Sequence, residues 1–289
     1  MEKIIEDGCI VAQERVLGQI YRLRLHAPKI ARTARPGQFV MLRVREGTDP
    51  LLRRPFSFSR IYASQGDFEI LFRLVGRGTM LLAGLPAGSS LSLVGPLGNG
   101  FELPADPRAP LAFIAGGIGI APLLELIAQV ICARGQKSAG ELHLFYGARS
   151  ALELLPEEEL RIAGLQSHFS TDDGSFGYKG RITRMFEDVL VEGAFRPLQI
   201  YSCGPLAMQY NVAKWALAND TLSQLSLESL MACGIGACLG CALPAPTPKE
   251  PGEERFVHVC EDGPIFSAGS IKWEKILAQQ TAPPTWPFN

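Results

Sequence analysis

Up to about residue 102 the apolar positions come in short runs. Those at 11–16, 20–25, 39–44, 68–75 and 90–94 are rich in β-branched, leucine and aromatic residues. Arg35-Pro36-Gly37, Gln65-Gly66-Asp67 and Pro86-Ala87-Gly88 interrupt them. Short strands at this spacing predict an antiparallel β-barrel or sandwich. Three prolines in 103–110 mark a linker.

Beyond the linker the period changes. Residues 111–115 are continuously apolar, as in a strand buried on both faces. A glycine turn follows, then a helix over about 122–134. Strands at 141–146, 166–171 and 199–203 alternate with helices at 152–160, 182–190 and 206–218. Such alternation predicts a parallel α/β sheet. Residues 223 to about 275 form a short third unit. The predicted organisation is therefore multidomain: a β-barrel over 1–102, an α/β domain over 103–222, a small domain over 223–275 and a tail over 276–289.

Composition narrows the function. The chain has 289 residues, 47% of them hydrophobic and 20% charged, and a net charge of -1. No basic field points to nucleic acid. Acids stand near the start where a signal peptide has a basic region, so a cytoplasmic protein is expected. Residues 110–133 are apolar and long enough for a membrane span. Gly116, Gly117, Gly119 and Pro122 interrupt them, and a strand, a tight turn and a helix explain that pattern better.

Seven cysteines in a reducing compartment suggest metal binding or redox work. Cys9, Cys132 and Cys203 are scattered. Cys233, Cys238, Cys241 and Cys260 follow the pattern C-x4-C-x2-C, then eighteen residues, then C. This is the plant-type [2Fe–2S] spacing. Gly234, Gly236 and Gly240 let a tight loop turn its amides toward a cluster. The alternative is a zinc-stabilised binding module, although only Cys238 and Cys241 have the C-x2-C spacing that zinc sites favour.

Further segments carry candidate chemistry. Arg53-Arg54-Pro55-Phe56-Ser57 can place an arginine on a phosphate and a hydroxyl near a ring nitrogen. Gly76-Arg77-Gly78-Thr79 can offer amides and a hydroxyl to a pyrophosphate. Each also fits a plain strand or turn. A flavin is favoured by context, because a nicotinamide site and a one-electron cluster need a two-to-one-electron converter between them. Gly116-Gly117-Ile118-Gly119-Ile120-Ala121-Pro122 opens a helix after a buried strand, where a phosphate can sit, though packing alone also explains small residues there. Cys203-Gly204-Pro205 ends a strand of the kind that lines a cofactor cleft. In the 171–178 turn, Asp172 and Asp173 either meet a nucleotide or make a polar turn. Arg149 leaves NAD against NADP open. No acid or base partner is evident for His26, His143, His168 or His258, and no catalytic acid–base set stands out.

Taken in order, these motifs resemble the ferredoxin–NADP reductase superfamily. Within it, the chain is similar to the electron-transfer subunits of class 1B dihydroorotate dehydrogenase over about residues 5–275. Arg54-Pro55-Phe56-Ser57 resembles the flavin motif, and Leu71, Phe72, Arg73, Gly78 and Thr79 fall at its FAD contacts. Gly116 to Pro122 and Cys203 to Pro205 resemble the nicotinamide motifs. The most specific matches are 231–241 and 259–266. The resemblance implies FAD, a [2Fe–2S] cluster on the four clustered cysteines, NAD(H), and an FMN-containing catalytic subunit in a heterotetramer. It also implies Ser57 near flavin N5 and Arg54 on the pyrophosphate. Related reductase subunits serving sulfide, hydrogenase or NADH–ferredoxin chemistry share these sites. The eighteen-residue gap, with Pro244, Pro246, Pro248 and Pro251, is longer than the family pattern, and the residues after Lys275 extend beyond it.

Overall fold

Six antiparallel strands close into a barrel in the computed structural model, which describes residues 3–135, 141–193, 195–246 and 254–281. They are β1 (Ile4–Leu17), β2 (Ile20–His26), β3 (Phe39–Arg43), β4 (Arg54–Tyr62), β5 (Asp67–Arg73) and β6 (Ser90–Leu97), ordered β1-β2-β5-β4-β3-β6. Alternation fills the interior: Leu23 and Leu25 of β2, Val40 and Leu42 of β3, and Phe58 of β4 are fully buried. The Phe58 and Phe68 rings meet edge to face at 4.9 Å. One turn of helix, α1 (Pro28–Ala31), follows β2, and α2 (Arg77–Ala83) follows β5.

The second unit is a seven-stranded sheet, parallel except at one edge. β7 (Leu111–Gly116) leads into a 3-10 turn, Gly117–Ile120, and α3 (Ala121–Arg134). Then come β8 (Leu142–Ala148), β9 (Gln166–Thr171), β10 (Tyr178–Lys179), α4 (Ile182–Val191), β11 (Gln199–Cys203), α5 (Leu206–Ala218) and β12 (Leu222–Ser226). The order is β10-β9-β8-β7-β11-β12, with β15 (Ile265–Phe266) antiparallel on β12. The chain moves outward from β7 to β10, then returns to the other side of β7 as β11. That reversal is a topological switch point, where such sheets open a crevice at the carboxyl ends of their strands.

The apolar stretch Gly117–Arg134 passes a length-and-composition test for a membrane span. In the fold it is a core helix, and Leu123, Leu126 and Ile127 are fully buried. The helix expected over 152–160 does not form. Pro156 lacks an N–H and disfavours helical geometry at Leu155, so the segment splits into 3-10 turns at Ala151–Glu153 and Glu157–Leu160. Strand β12 continues the nucleotide sheet across residues 222–226.

The third unit hangs from this edge. The cysteine loop leads into a two-stranded hairpin, β13 (Ala242–Ala245) with β14 (Arg255–His258). After β15, α6 (Trp273–Thr281) packs Trp273 and Ile276 inward, so helix occupies the start of the predicted tail. Pro248, Pro251, Trp286 and Phe288 lie outside the described residues.

Candidate functional site

Two clefts open side by side at the barrel–sheet junction. The first, about 350 Å³, is walled by Pro55, Phe56 and Ser57 of β4 and by Leu71, Phe72 and Arg73 of β5. Thr79 and Pro122 also reach it. β4 and β5 pair in the barrel, so these two segments come side by side at one cleft. The result is an apolar, aromatic slot with a hydroxyl and a guanidinium on its walls, which fits a flavin. Arg54 and Gly78 pack on each other outside the slot: a β-carbon on Gly78 would come within 2.9 Å of Arg54 Nε. The Thr79 hydroxyl donates to the Gly76 carbonyl (2.9 Å) and accepts from the Val75 amide (3.0 Å), so it holds the turn entering α2. Neighbouring Arg53 is engaged elsewhere, donating to the Ser92 carbonyl at 2.6 Å.

The second cleft, about 540 Å³, crosses the carboxyl ends of β8, β7 and β11. Gly116, Gly117, Gly119, Gly204 and Pro205 line it. Gly117 has φ +54° and open space where a side chain would be, so its backbone faces the cleft. Gly119 serves packing instead: a β-carbon there would collide with the Cys203 carbonyl and lie 2.8 Å from Gly204 Cα. A backbone cradle at a strand–helix turn fits a dinucleotide phosphate. The Cys203 side chain is buried behind the wall, and burial pushes its thiol pKa up.

The structure separates the two acids left open above. Asp173 accepts from the Ser175 amide (2.9 Å) and hydroxyl (2.6 Å), making a polar turn that holds its carboxyl below the ordinary range. Asp172 faces the nucleotide cleft. Arg149 also lines it, bound to Glu153 at 2.6 Å, while Arg73 of the barrel lies 3.5 Å from the same carboxylate.

Sequence reasoning missed Glu228, just beyond β12. It lines both clefts, together with Arg73 and Ile118. Its side chain is open to the cleft but enclosed by protein on its other sides, and that desolvation raises its carboxyl pKa. Only an unremarkable Leu-Glu-Ser precedes the cysteines, so no local signal marks it. The histidines do have partners: His26 Nδ1 lies 2.7 Å from Asp67 Oδ1, and His143 Nδ1 lies 2.9 Å from His168 Nε2.

The four clustered cysteines come together in pairs. Cys241 and Cys260 are buried with sulfurs 3.3 Å apart, while Cys233 is half-buried and Cys238 exposed. Backbone amides aim at the sulfurs: Gly236 to Cys260 (3.2 Å), Cys238 to Cys233 (3.3 Å) and Ile235 to Cys233 (3.5 Å). Burial opposes ionisation of Cys233, but these amides outweigh it and lower its thiol pKa, whereas burial and the Cys241 thiol raise that of Cys260. Among the described residues no three His, Cys, Asp or Glu side chains gather tightly enough for a single ion. Thiols in pairs with inward amides fit a two-iron cluster better than one tetrahedral zinc. Gly234 rests on Met41 of β3, and Met231, two residues before Cys233, lines the flavin cleft.

Comparison with known proteins follows the same three-part layout. The oxidoreductase FAD-binding domain matches residues 10–101 and the oxidoreductase NAD-binding domain 113–214. The iron–sulfur cluster binding domain of dihydroorotate dehydrogenase B matches 228–272. The dihydroorotate dehydrogenase B (NAD(+)) electron transfer subunit of Desulforamulus reducens is 34% identical over 95% of this chain and 100% of its own length. The chain belongs to the family of dihydroorotate dehydrogenase B electron transfer subunits. A second member, from Geobacillus kaustophilus, is 39% identical over 92% of this chain and 98% of its own. The family carries FAD-binding, NAD-binding and iron–sulfur domains in the order found here. An NADH-dependent reduced ferredoxin–NADP oxidoreductase superposes with TM-score 0.77 at 26% identity, covering 93% of this chain and 91% of its own. The ferredoxin reductase of carbazole 1,9a-dioxygenase shares the fold with TM-score 0.63 at 22% identity, covering 76% and 67%.

Proposed function

We propose that this chain carries electrons between a dihydroorotate-oxidising catalytic subunit and NAD, by way of FAD and a [2Fe–2S] cluster. The observation that carries the proposal is contiguity. The flavin and nucleotide clefts share Arg73, Ile118 and Glu228, and the cysteine loop meets the flavin cleft through Met231.

The proposed units are 1–102 for FAD, 103–222 for NAD and 223–275 for the cluster, with 276–289 as a tail. In the flavin slot Ser57 orients the ring edge, with Pro55, Phe56, Leu71 and Phe72 as its apolar walls. Arg54, Gly78 and Thr79 shape the pyrophosphate end, and Arg73 bridges to the nucleotide. The Gly116–Gly119 turn cradles the nucleotide phosphates, while Pro122, Gly204 and Pro205 direct the nicotinamide toward the flavin, with Cys203 packed behind. When bound, the flavin converts an electron pair into single electrons. Close aromatic walls exclude water from the transfer. Cys233, Cys238, Cys241 and Cys260 hold the cluster, and exposed Cys238 marks the side nearer the partner. That partner is an FMN-containing catalytic subunit, the assembly is a heterotetramer, and the compartment is the cytoplasm.

Anaerobic NADH titration followed by optical and EPR spectroscopy tests the path. Flavin bleaching followed by a reduced [2Fe–2S] signal is expected, and a bleached flavin with no such signal defeats it. The similarity to the ferredoxin–NADP oxidoreductase favours a second reading, a subunit that serves ferredoxin chemistry. Co-purification separates the two, because a dihydroorotate-oxidising partner accompanies the chain only under the first.

A further inference from the structure

Gly236 is the point where a charge meets the cysteine loop. Its amide donates to Cys260 Sγ at 3.2 Å, and its φ is +83°. A β-carbon there would collide with the carboxylate of Glu261, the residue that follows Cys260. The Glu261 carboxylate therefore lies against the backbone that supplies a hydrogen bond to a cysteine sulfur. On the preceding residue, the Lys3 ammonium donates to the Ile235 carbonyl at 2.8 Å. Opposite charges thus bracket residues 235–236. Cys233, Cys238 and Glu261 itself are accessible to solvent, so both charges act at the rim of the loop.

We propose that Glu261 is a potential-setting residue for the cluster held by Cys233, Cys238, Cys241 and Cys260, its carboxylate lowering the reduction potential while Lys3 opposes it. This rests on the [2Fe–2S] reading above. Reduction adds one negative charge to the site, so a nearby anion disfavours it and a nearby cation favours it. Net charge and hydrogen bonds to sulfur are the levers by which a protein tunes such a centre. At an exposed position the Coulomb effect is a few-fold in equilibrium constant.

The test is redox titration of the full chain, isolated anaerobically with its flavin and iron, read by the EPR amplitude of the reduced cluster. Glu261→Gln keeps the shape that fills the Gly236 site and removes the charge. It is expected to raise the midpoint by about threefold in the one-electron equilibrium, about 28 mV at 59 mV per tenfold. Lys3→Met is expected to move it the other way, and Glu261→Asp to leave it near the parent value. An unmoved or lowered midpoint in an iron-replete Glu261→Gln sample overturns the proposal, since a purely space-filling role predicts no change. Should Glu261→Gln fail to retain iron, the parent decides. Its midpoint is compared with that of an iron-replete Lys3→Met sample, which is expected to lie lower, and a Lys3→Met midpoint that is unmoved or raised overturns the proposal. Absence of any cluster signal in the parent defeats the [2Fe–2S] reading instead.

Discussion

Glu125, inside the strongly apolar helix α3, accepts a hydrogen bond from the Ile61 amide of the barrel at 2.9 Å. Gln129 donates to its other oxygen at 2.9 Å, and Arg60 donates to the neighbouring Leu124 carbonyl at 2.7 Å. These bonds pin α3 to β4, and so the nucleotide turn to the flavin wall. Burial raises the Glu125 carboxyl pKa, so the acid is held at a cost that its partners offset. Glu125→Ala leaves the half-buried Ile61 amide without its acceptor, which costs about 1 kcal/mol. Glu125→Gln still presents one acceptor and is expected to lose less. Thermal melts of both variants check the order, and a larger loss in Glu125→Gln refutes it.

The His143–His168 pair gives folding a pH dependence. His143 is buried, its ring stacks on Phe195 at 3.9 Å, and its Nε2 has no hydrogen-bond partner among the described residues. Burial, then the neighbouring His168, lowers its pKa from the ordinary 6.5 to about 4. A depressed histidine pKa means that the unfolded chain binds the proton first. This contribution to stability is complete above pH 6.5 and is lost as pH falls toward 4. Between pH 7 and 5 the loss is about 1–2 kcal/mol, at 1.36 kcal/mol per unit. Urea unfolding at the two pH values measures it, and His143→Phe is expected to flatten the difference.

Much of this arrangement is written locally in the sequence. The cysteine spacing, the Gly116–Pro122 turn and the Arg54–Ser57 strand each sit within a few residues, and the structure keeps them together. Pro156 is equally visible in the sequence, and it breaks the helix that the 152–160 pattern predicts. What stayed hidden depends on strand order. His143 and His168 meet only because β8 and β9 are neighbours. Glu228 becomes part of both clefts only because β12 ends beside them. Arg73 meets Glu153 only because the end of β5 reaches the nucleotide cleft. Charge pairing and pocket sharing are long-range properties, and hydrophobic periodicity does not encode them.

Gly117 and Gly119 separate binding from packing. Ala at 117 meets open space, so its cost is the left-handed backbone alone, about 1–2 kcal/mol. The added methyl stands where a nucleotide phosphate approaches, and KM for NADH is expected to rise about tenfold, equivalent to roughly 1.4 kcal/mol. Ala at 119 drives a methyl into the Cys203 backbone and is expected to destabilise by about 1–3 kcal/mol. Steady-state kinetics alongside melting curves tests the contrast, which fails if Gly117→Ala binds NADH normally.

Cys241 supplies the sharpest test of the division between units. It is buried beside Cys260 in the third unit, and neither residue lines the flavin slot. Cys241→Ser removes one thiolate from a set of four, and a hydroxyl is a poor ligand for iron at neutral pH. Iron content and the reduced-cluster EPR signal are expected to fall at least tenfold. Flavin content should remain near one per chain, because β4, β5 and α3 are unaltered. NADH should still bleach that flavin, since the nucleotide cleft is lined without the cysteine loop. Transfer to the catalytic partner should stop, because no centre then connects the slot to the protein surface. Loss of FAD together with iron would instead mean that the cysteine loop, through Met231 and the Gly234–Met41 contact, is needed to build the slot itself.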